Sequence, residues 1–165
     1  MAPINTARLR ALAVWLLERA AQEKPGFLLT ELSIALVNDD IIAPLNEQFM
    51  RHTGATDVIS FLLAPPPGQE RASGELVINL QRAREEATQR RGNPNRELAW
   101  YLAHGINHLT GATDRTPAQR AAMHKREKRW LNAADRAGLL ADLLRATPEA
   151  ARPTKRARTA RKIAR

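Results

Sequence analysis

Residues 104–115 read HGINHLTGATDR, with His104 and His108 four apart, Gly111 three further on and Asp114 three beyond that. Side chains at i and i+4 share one face of an α-helix, with Cβ atoms about 5–6 Å apart. Two imidazoles so placed can meet one metal ion at about 2.0–2.1 Å. The helix offers no third ligand in that plane, so the chain has to turn back. Gly111 is where it can, because glycine takes a positive φ without steric cost, and Asp114 then falls beside the pair as a third ligand. Three protein ligands and one open position form the pattern of a catalytic rather than a structural site. An ion in such a site lowers the pKa of water towards neutrality. The pair also has a plainer reading, in which each ring meets a core carboxylate. The glycine and aspartate at these offsets, in a chain with only four histidines, favour the metal. His124 is a reserve third ligand or a surface residue. His52, in a loop, faces the site or water.

The same ligand spacing belongs to the metzincin peptidases, which need glutamate directly after the first histidine as the base acting on water. Here that position is Gly105. A peptidase would have to find its base elsewhere, which argues against proteolysis and leaves the metal site intact.

The elements around the motif follow from periodicity and punctuation. Leu9, Leu12, Leu16 and Ala20 form one stripe of a helix over 6–22, with Thr6 as its expected N-cap and Pro25-Gly26 as its end. ELSIALV (31–37) alternates as a strand. Asn38 or Asp39 caps a short helix reaching about Arg51. DVISFLL (57–63) is apolar and β-branched, hence a buried strand. A proline-rich loop (64–74) leads to the strand ELVINL (75–80) and to a charged surface helix (81–91) stopped by Gly92. Asn93-Pro94 opens the metal-bearing helix, which Gly111 closes. Thr116-Pro117 opens one long last helix, or two broken near Gly138. The order α-β-α-β-β-α-α-α predicts an α+β fold: a small mixed β-sheet of three or four strands covered by five or six helices. The metal site lies on a helix and the turn after it. Trp100, Tyr101, Leu102 and Trp130 read as core packing at helical spacing, with base stacking by Trp100 or Tyr101 as the alternative.

The chain of 165 residues suits one domain, taken as 1–147, and the absence of cysteine excludes disulfides, zinc ribbons and thiol catalysis. ALAVWLL (11–17) is broken by Glu18 and Arg19, and no apolar run nears the roughly 20 residues of a membrane helix. The expectation is a cytoplasmic protein. The net charge is +9, yet residues 152–165 hold seven Lys/Arg and no acid; removing seven from nine leaves +2 for residues 1–151. The tail (148–165) reads as disordered. It is either a solvated appendage or a phosphate-binding arm that carries Arg152, Lys155, Arg156, Arg158, Arg161 and Lys162 to RNA without regard to sequence.

The motif resembles the H-G-x-L-H-L-x-G-Y-D-H hallmark of the YbeY-type rRNA maturation factors, zinc-dependent endoribonucleases of bacteria. His104, Gly105, His108, Leu109 and Gly111 stand in register. Asn107 replaces the usual leucine, Ala112 the tyrosine and Asp114 the third histidine. Three further blocks are similar to the family in the same order: LNEQFMRHTGATDVISF (45–61), GELVINLQRAREEA (74–87) and RELAWYLAHG (96–105), with Met123 and Glu127 following the motif. MAPINTARL makes a poor strand where many members begin with one. Met50 stands where many carry arginine, so Arg51 or His52 would substitute.

What the resemblance implies is a metal-dependent endoribonuclease in rRNA maturation and ribosome quality control, acting on single-stranded precursor near the small ribosomal subunit. One Zn²⁺ would sit on His104, His108 and Asp114. Arg51 would offset charge on the phosphorane, and His52 would assist proton transfer or bind phosphate. Glu97, on the helical face of residues 101, 104 and 108, would be the acceptor behind a ligand imidazole or a plain surface acid. Two other classes compete: a metzincin-like peptidase or hydrolase, and a non-catalytic ribosome-binding factor with a structural zinc.

Overall fold

The middle strand of the sheet decides how everything else is arranged. In the computed structural model, which describes residues 4–145, nine elements follow one another. They are α1 (Thr6–Glu23), β1 (Leu29–Val37), α2 (Asp39–Leu45) running into a π-helical turn (Asn46–Met50), β2 (Val58–Leu63), β3 (Ala72–Asn79), α3 (Leu80–Gln89), α4 (Pro94–Leu109) and α5 (Pro117–Arg136). The strand order is β1-β3-β2, with β1 parallel and β2 antiparallel to β3. The fold is therefore α+β, with a three-stranded mixed sheet and five α-helices among the described residues. Ile4 bridges Leu144 instead of adding an opening strand to the sheet.

Leu76 and Ile78 of β3 are buried, and α4 packs across β2 and β3. Behind α4 lie α1 and α5. Leu12, Leu16, Leu98, Leu102, Ile106, Trp130 and Leu131 fill the space between these helices and are almost wholly inaccessible. Burying such side chains contributes about 1.5–3 kcal/mol each. The stripe Leu9, Leu12, Leu16, Ala20 is buried as its spacing predicts. Glu23, at the end of α1, clamps α5: it accepts from Trp130 Nε1 at 2.8 Å and from Arg129 Nη2 at 2.6 Å.

Several boundaries differ from the sequence reading. Asn5, not Thr6, caps α1, its side chain accepting from Arg8 N. The strand over 57–63 is not interior: β2 is an edge strand, and Leu62 and Leu63 are exposed. Its apolar residues fit a buried strand equally well, and only the strand order shows which it is. β3 begins at Ala72, taking in the last three residues of the expected loop. After α3 the left-handed residue is Arg91 (φ 51°) rather than Gly92. The last helix ends at Arg136, and Gly138 takes φ +70° in the turn that follows. The boundary at 147 and the basic tail with Arg152, Lys155, Arg156, Arg158, Arg161 and Lys162 lie outside the described residues. No helix among the described residues is long and apolar enough to cross a membrane.

Candidate metal centre

The start and end of α4 are both set by local chemistry. Asn93 caps it by accepting from Asn95 N, and Pro94 occupies a first-turn position where a missing N–H costs nothing. At the far end the Lys24 ammonium donates to Thr110 O. Gly111 (φ +87°) then turns the chain, its N–H bonded to His108 O at 2.8 Å. The returning segment is held by Arg120, which donates to Asp114 O at 2.9 Å. Thr116 and Gln119 form a capping box that starts α5.

This brings His104, His108 and Asp114 together, with one ligand atom of each within 4.8 Å of the others. The two imidazole Nε2 atoms are 3.1 Å apart, and Asp114 Oδ2 is 4.0 Å from His108 Nε2. The protonation pattern tests whether a cation fits. His108 Nδ1 faces Ala112 O at 3.0 Å, and a carbonyl can only accept, so Nδ1 carries the hydrogen. His104 Nδ1 donates to Glu127 Oε1 at 2.9 Å. In the neutral rings both Nε2 atoms are then lone pairs pointing at each other beside a carboxylate. A proton or a metal ion between them would relieve that arrangement, and the donor set of two nitrogens and an oxygen suits a divalent transition ion.

Glu127 is the residue the sequence reading missed. Glu97, expected either as the acceptor behind a ligand imidazole or as a plain surface acid, accepts from Arg90 at 3.2 Å, on the side of α4 that meets α3. Glu127 reaches His104 from α5 and is 1% exposed. Asn107, also fully buried, donates to the same Oε1 at 2.9 Å while accepting from Arg126 at 2.9 Å. The asparagine that departs from the usual leucine thus serves the glutamate that orients the His104 ring. Burial raises the Glu127 carboxyl, but the hydrogen bond and charge of His104, with help from Asn107, outweigh it and hold the group below its ordinary value. Burial lowers His104, and its bond to Glu127 outweighs that, so its pKa lies above 6.5. Burial pushes Glu97 up, with Arg90 opposing. The signals for Glu127 in the sequence are its match to the family pattern after the motif and its place as an acid on the buried stripe with Met123 and Trp130.

Gly105 points away from the ligands. A Cβ there would lie 2.8 Å from Leu76 Cδ2 and 3.1 Å from Val58 Cγ2, so the position faces the sheet. A glutamate at this site would be driven into β2 and β3, and the base that a metzincin uses has no room.

The ligands sit in an open cavity of about 540 Å³. His52, Asn46, Thr56, Asp57 and Arg115 also line it. Asn46 is buried and donates to Gly54 O at 2.9 Å, which pins the loop that carries His52. Arg51 is exposed in the left-handed region (φ 58°) and is not among the lining residues. The arginine that lines the cavity is Arg115, whose side chain makes no bond to any described residue. His124 is outside the His104–His108–Asp114 cluster and lies against Trp100, the two rings tilted with respect to each other.

Residues 2–135 match the family model for Endoribonuclease YbeY. A protein described as Endoribonuclease YbeY from an Anaeromyxobacter species is 42% identical over 97 residues, covering 59% of this chain and 50% of the relative. Its counterpart in Anaeromyxobacter dehalogenans is 40% identical over 120 residues, covering 73% and 60%. That in Salinibacter ruber is 36% identical over 114 residues, covering 66% and 73%. The chain thus spans little more than half the length of the two Anaeromyxobacter relatives. The fold is similar to the solution structure of TM1509 from Thermotoga maritima, with a TM-score of 0.54 and 24% identity over 84% of this chain and 90% of that one.

Proposed function

The chain belongs to the Endoribonuclease YbeY family, and on that premise we propose that it is a metal-dependent endoribonuclease. Its substrate is single-stranded precursor rRNA, met at the small ribosomal subunit in the cytoplasm. The observation that carries this reading is the pair of facing imidazole lone pairs beside Asp114, at the wall of a cavity open enough for a nucleotide strand. His104, His108 and Asp114 hold one Zn²⁺, which when bound supplies Lewis-acid chemistry at a phosphodiester. Glu127 and Ala112 O fix the two rings by their Nδ1 hydrogens, so that both Nε2 atoms face the cavity. Arg115 binds the phosphate and offsets the charge that builds on it as the linkage breaks. In this role it takes over from Arg51, which lies outside the cavity lining. His52, which also lines the cavity, exchanges a proton with the attacking or leaving oxygen. The basic tail holds RNA without reading its sequence.

The test pairs metal content with cleavage. Wild-type protein should carry about one zinc per chain and cut single-stranded precursor rRNA. His108→Ala should lose both, and Asp114→Ala should lose most of the metal. Unchanged stoichiometry in Asp114→Ala would remove that residue from the ligand set. Full biological activity in His104→Ala would favour a non-catalytic ribosome-binding factor instead. Gly105, turned into the sheet, speaks against the peptidase reading.

A further inference from the structure

The cavity does not end at the metal ligands. His104 and Asp114 also line a second recess, of about 220 Å³, together with Trp100 and His124. Trp100 and His124 in turn line a third, of about 480 Å³, between α3 and α4. Asp57 borders all three. The three recesses thus adjoin through shared lining residues, from His104 and Asp114 past Trp100 and His124 to the polar recess.

The pair is placed and exposed as a stacking surface would be. Trp100 stands four residues before His104, just over one helical turn or about 6 Å along α4, a step on the scale of one nucleotide. Its ring and that of His124 have centroids 4.8 Å apart and planes inclined at 50°. Tyr101, the neighbouring aromatic, is 4% exposed and belongs to the core, although it too borders the third recess. Trp100 is only half-buried: it packs against the core and also lines two recesses. His124 is exposed. Core packing explains the first aromatic and leaves the second with a free surface.

The charges of the third recess argue for a base rather than a phosphate. Its arginines are engaged: Arg82 donates to Ala55 O at 2.8 Å, and Arg90 is held by Glu86 at 2.8 Å and Glu97 at 3.2 Å. With Asp57, three carboxylates stand against two guanidinium groups. A phosphate would meet a field of the wrong sign. A flat, uncharged ring with N–H donors on its edge would meet an aromatic surface and hydrogen-bond acceptors.

We propose that the Trp100–His124 recess is a nucleobase subsite, in which the base next to the cleaved linkage lies against Trp100 and His124 with its edge towards the α3–α4 recess. This rests on the endoribonuclease reading for the strand's identity, but its test does not depend on cleavage. Binding of a 2′-O-methylated ten-nucleotide single strand to the metal-loaded protein is followed by fluorescence anisotropy at 50 and 250 mM salt. A set of the same strand with one abasic position moved along it is measured in parallel.

His124→Ala, an exposed change, and Trp100→Leu should each weaken binding about fivefold or more, the scale of base–aromatic stacking, by the same factor at both salt concentrations. Trp100→Phe, which keeps a ring, should retain most of the affinity and controls for folding. One abasic position should reproduce the loss and erase the difference between wild type and His124→Ala. Wild-type affinity in His124→Ala and Trp100→Leu, with no sensitive abasic position, overturns the subsite. So does a loss that appears only as a shallower salt dependence, because that is the mark of a phosphate contact. A protein that shows the stacking loss yet cuts no RNA keeps the subsite and sinks the nuclease reading. One that cuts RNA with neither aromatic mattering does the reverse.

Discussion

Replacing Glu127 by glutamine changes one charge and almost no volume, and the consequences can be worked out from its contacts. In the wild type Oε1 accepts from His104 Nδ1 and Asn107 Nδ2, both at 2.9 Å, and Oε2 is buried with no partner among the described residues. The carboxylate favours any positive charge on the far side of the ring, whether a proton or a divalent ion. The ion carries twice the charge, so it gains more. Loss of a carboxylate behind a metal-binding histidine costs about 10–100-fold in affinity, or roughly 1.4–2.7 kcal/mol.

That factor should depend on pH in a definite direction. In the metal-free protein His104 has a pKa above 6.5, so protons compete with the metal until the pH passes the raised value. Above it the wild type is unprotonated and shows its full advantage over Glu127→Gln. Below it the wild type must shed a proton that the variant has already lost, and the advantage shrinks by the difference in the two His104 pKa values. Competition against a chromophoric chelator from pH 5.5 to 8.5 measures this. The ratio of affinities should be largest at the alkaline end and fall as the pH drops. A ratio that is flat with pH, or an affinity unchanged at pH 8.5, would show that Glu127 does not act through His104.

Gly105→Ala should lower stability in urea denaturation by about 1–2 kcal/mol. Overpacking against Leu76 and Val58 costs about 1–3 kcal/mol and outweighs the gain of up to about 1 kcal/mol in helix propensity. Arg115→Ala should slow RNA cleavage at least tenfold, towards the roughly 10²–10³ lost with a charge-stabilising donor, while Arg51→Ala should stay within about threefold; the reverse order would return the role to Arg51. Glu23→Ala should destabilise by about 1–3 kcal/mol, because the buried Trp130 Nε1 loses its acceptor. Burial raises the Glu23 carboxyl, but Trp130, Arg129 and Arg126 hold it below its ordinary value. Its contribution is therefore present above the unfolded pKa and lost as pH falls through the folded one, so the wild type and Glu23→Ala should converge in stability in acid.

How much of this was legible in the sequence depended on distance along the chain. The facing histidines, the turn at Gly111 and the caps at Asn93 and Thr116 all rest on relations among residues a few positions apart. Backbone geometry sets those relations before any packing occurs, since a helix repeats every 3.6 residues and only certain side chains satisfy its free N–H groups. The buried stripe of α1 was equally plain. The sequence also set the peptidase reading aside, because Gly105 stands where a peptidase keeps its base. Other features were out of reach. Glu97 and Glu127 are both acids on amphipathic helices, one 7 and the other 23 residues from His104, and the nearer was the natural choice. The farther one meets the ring because α5 crosses α4 where Glu127, Asn107 and Arg126 can bond to one another, while α3 draws Glu97 to Arg90. The strand at 58–63 looked interior until the order β1-β3-β2 put it at an edge. Arg115 and Arg51 were separated in the same way, by which loop the folded chain turns towards the cavity. Period and punctuation act within one or two turns of backbone, whereas the choice among chemically equivalent side chains is made by the packing of whole elements, which no local pattern encodes.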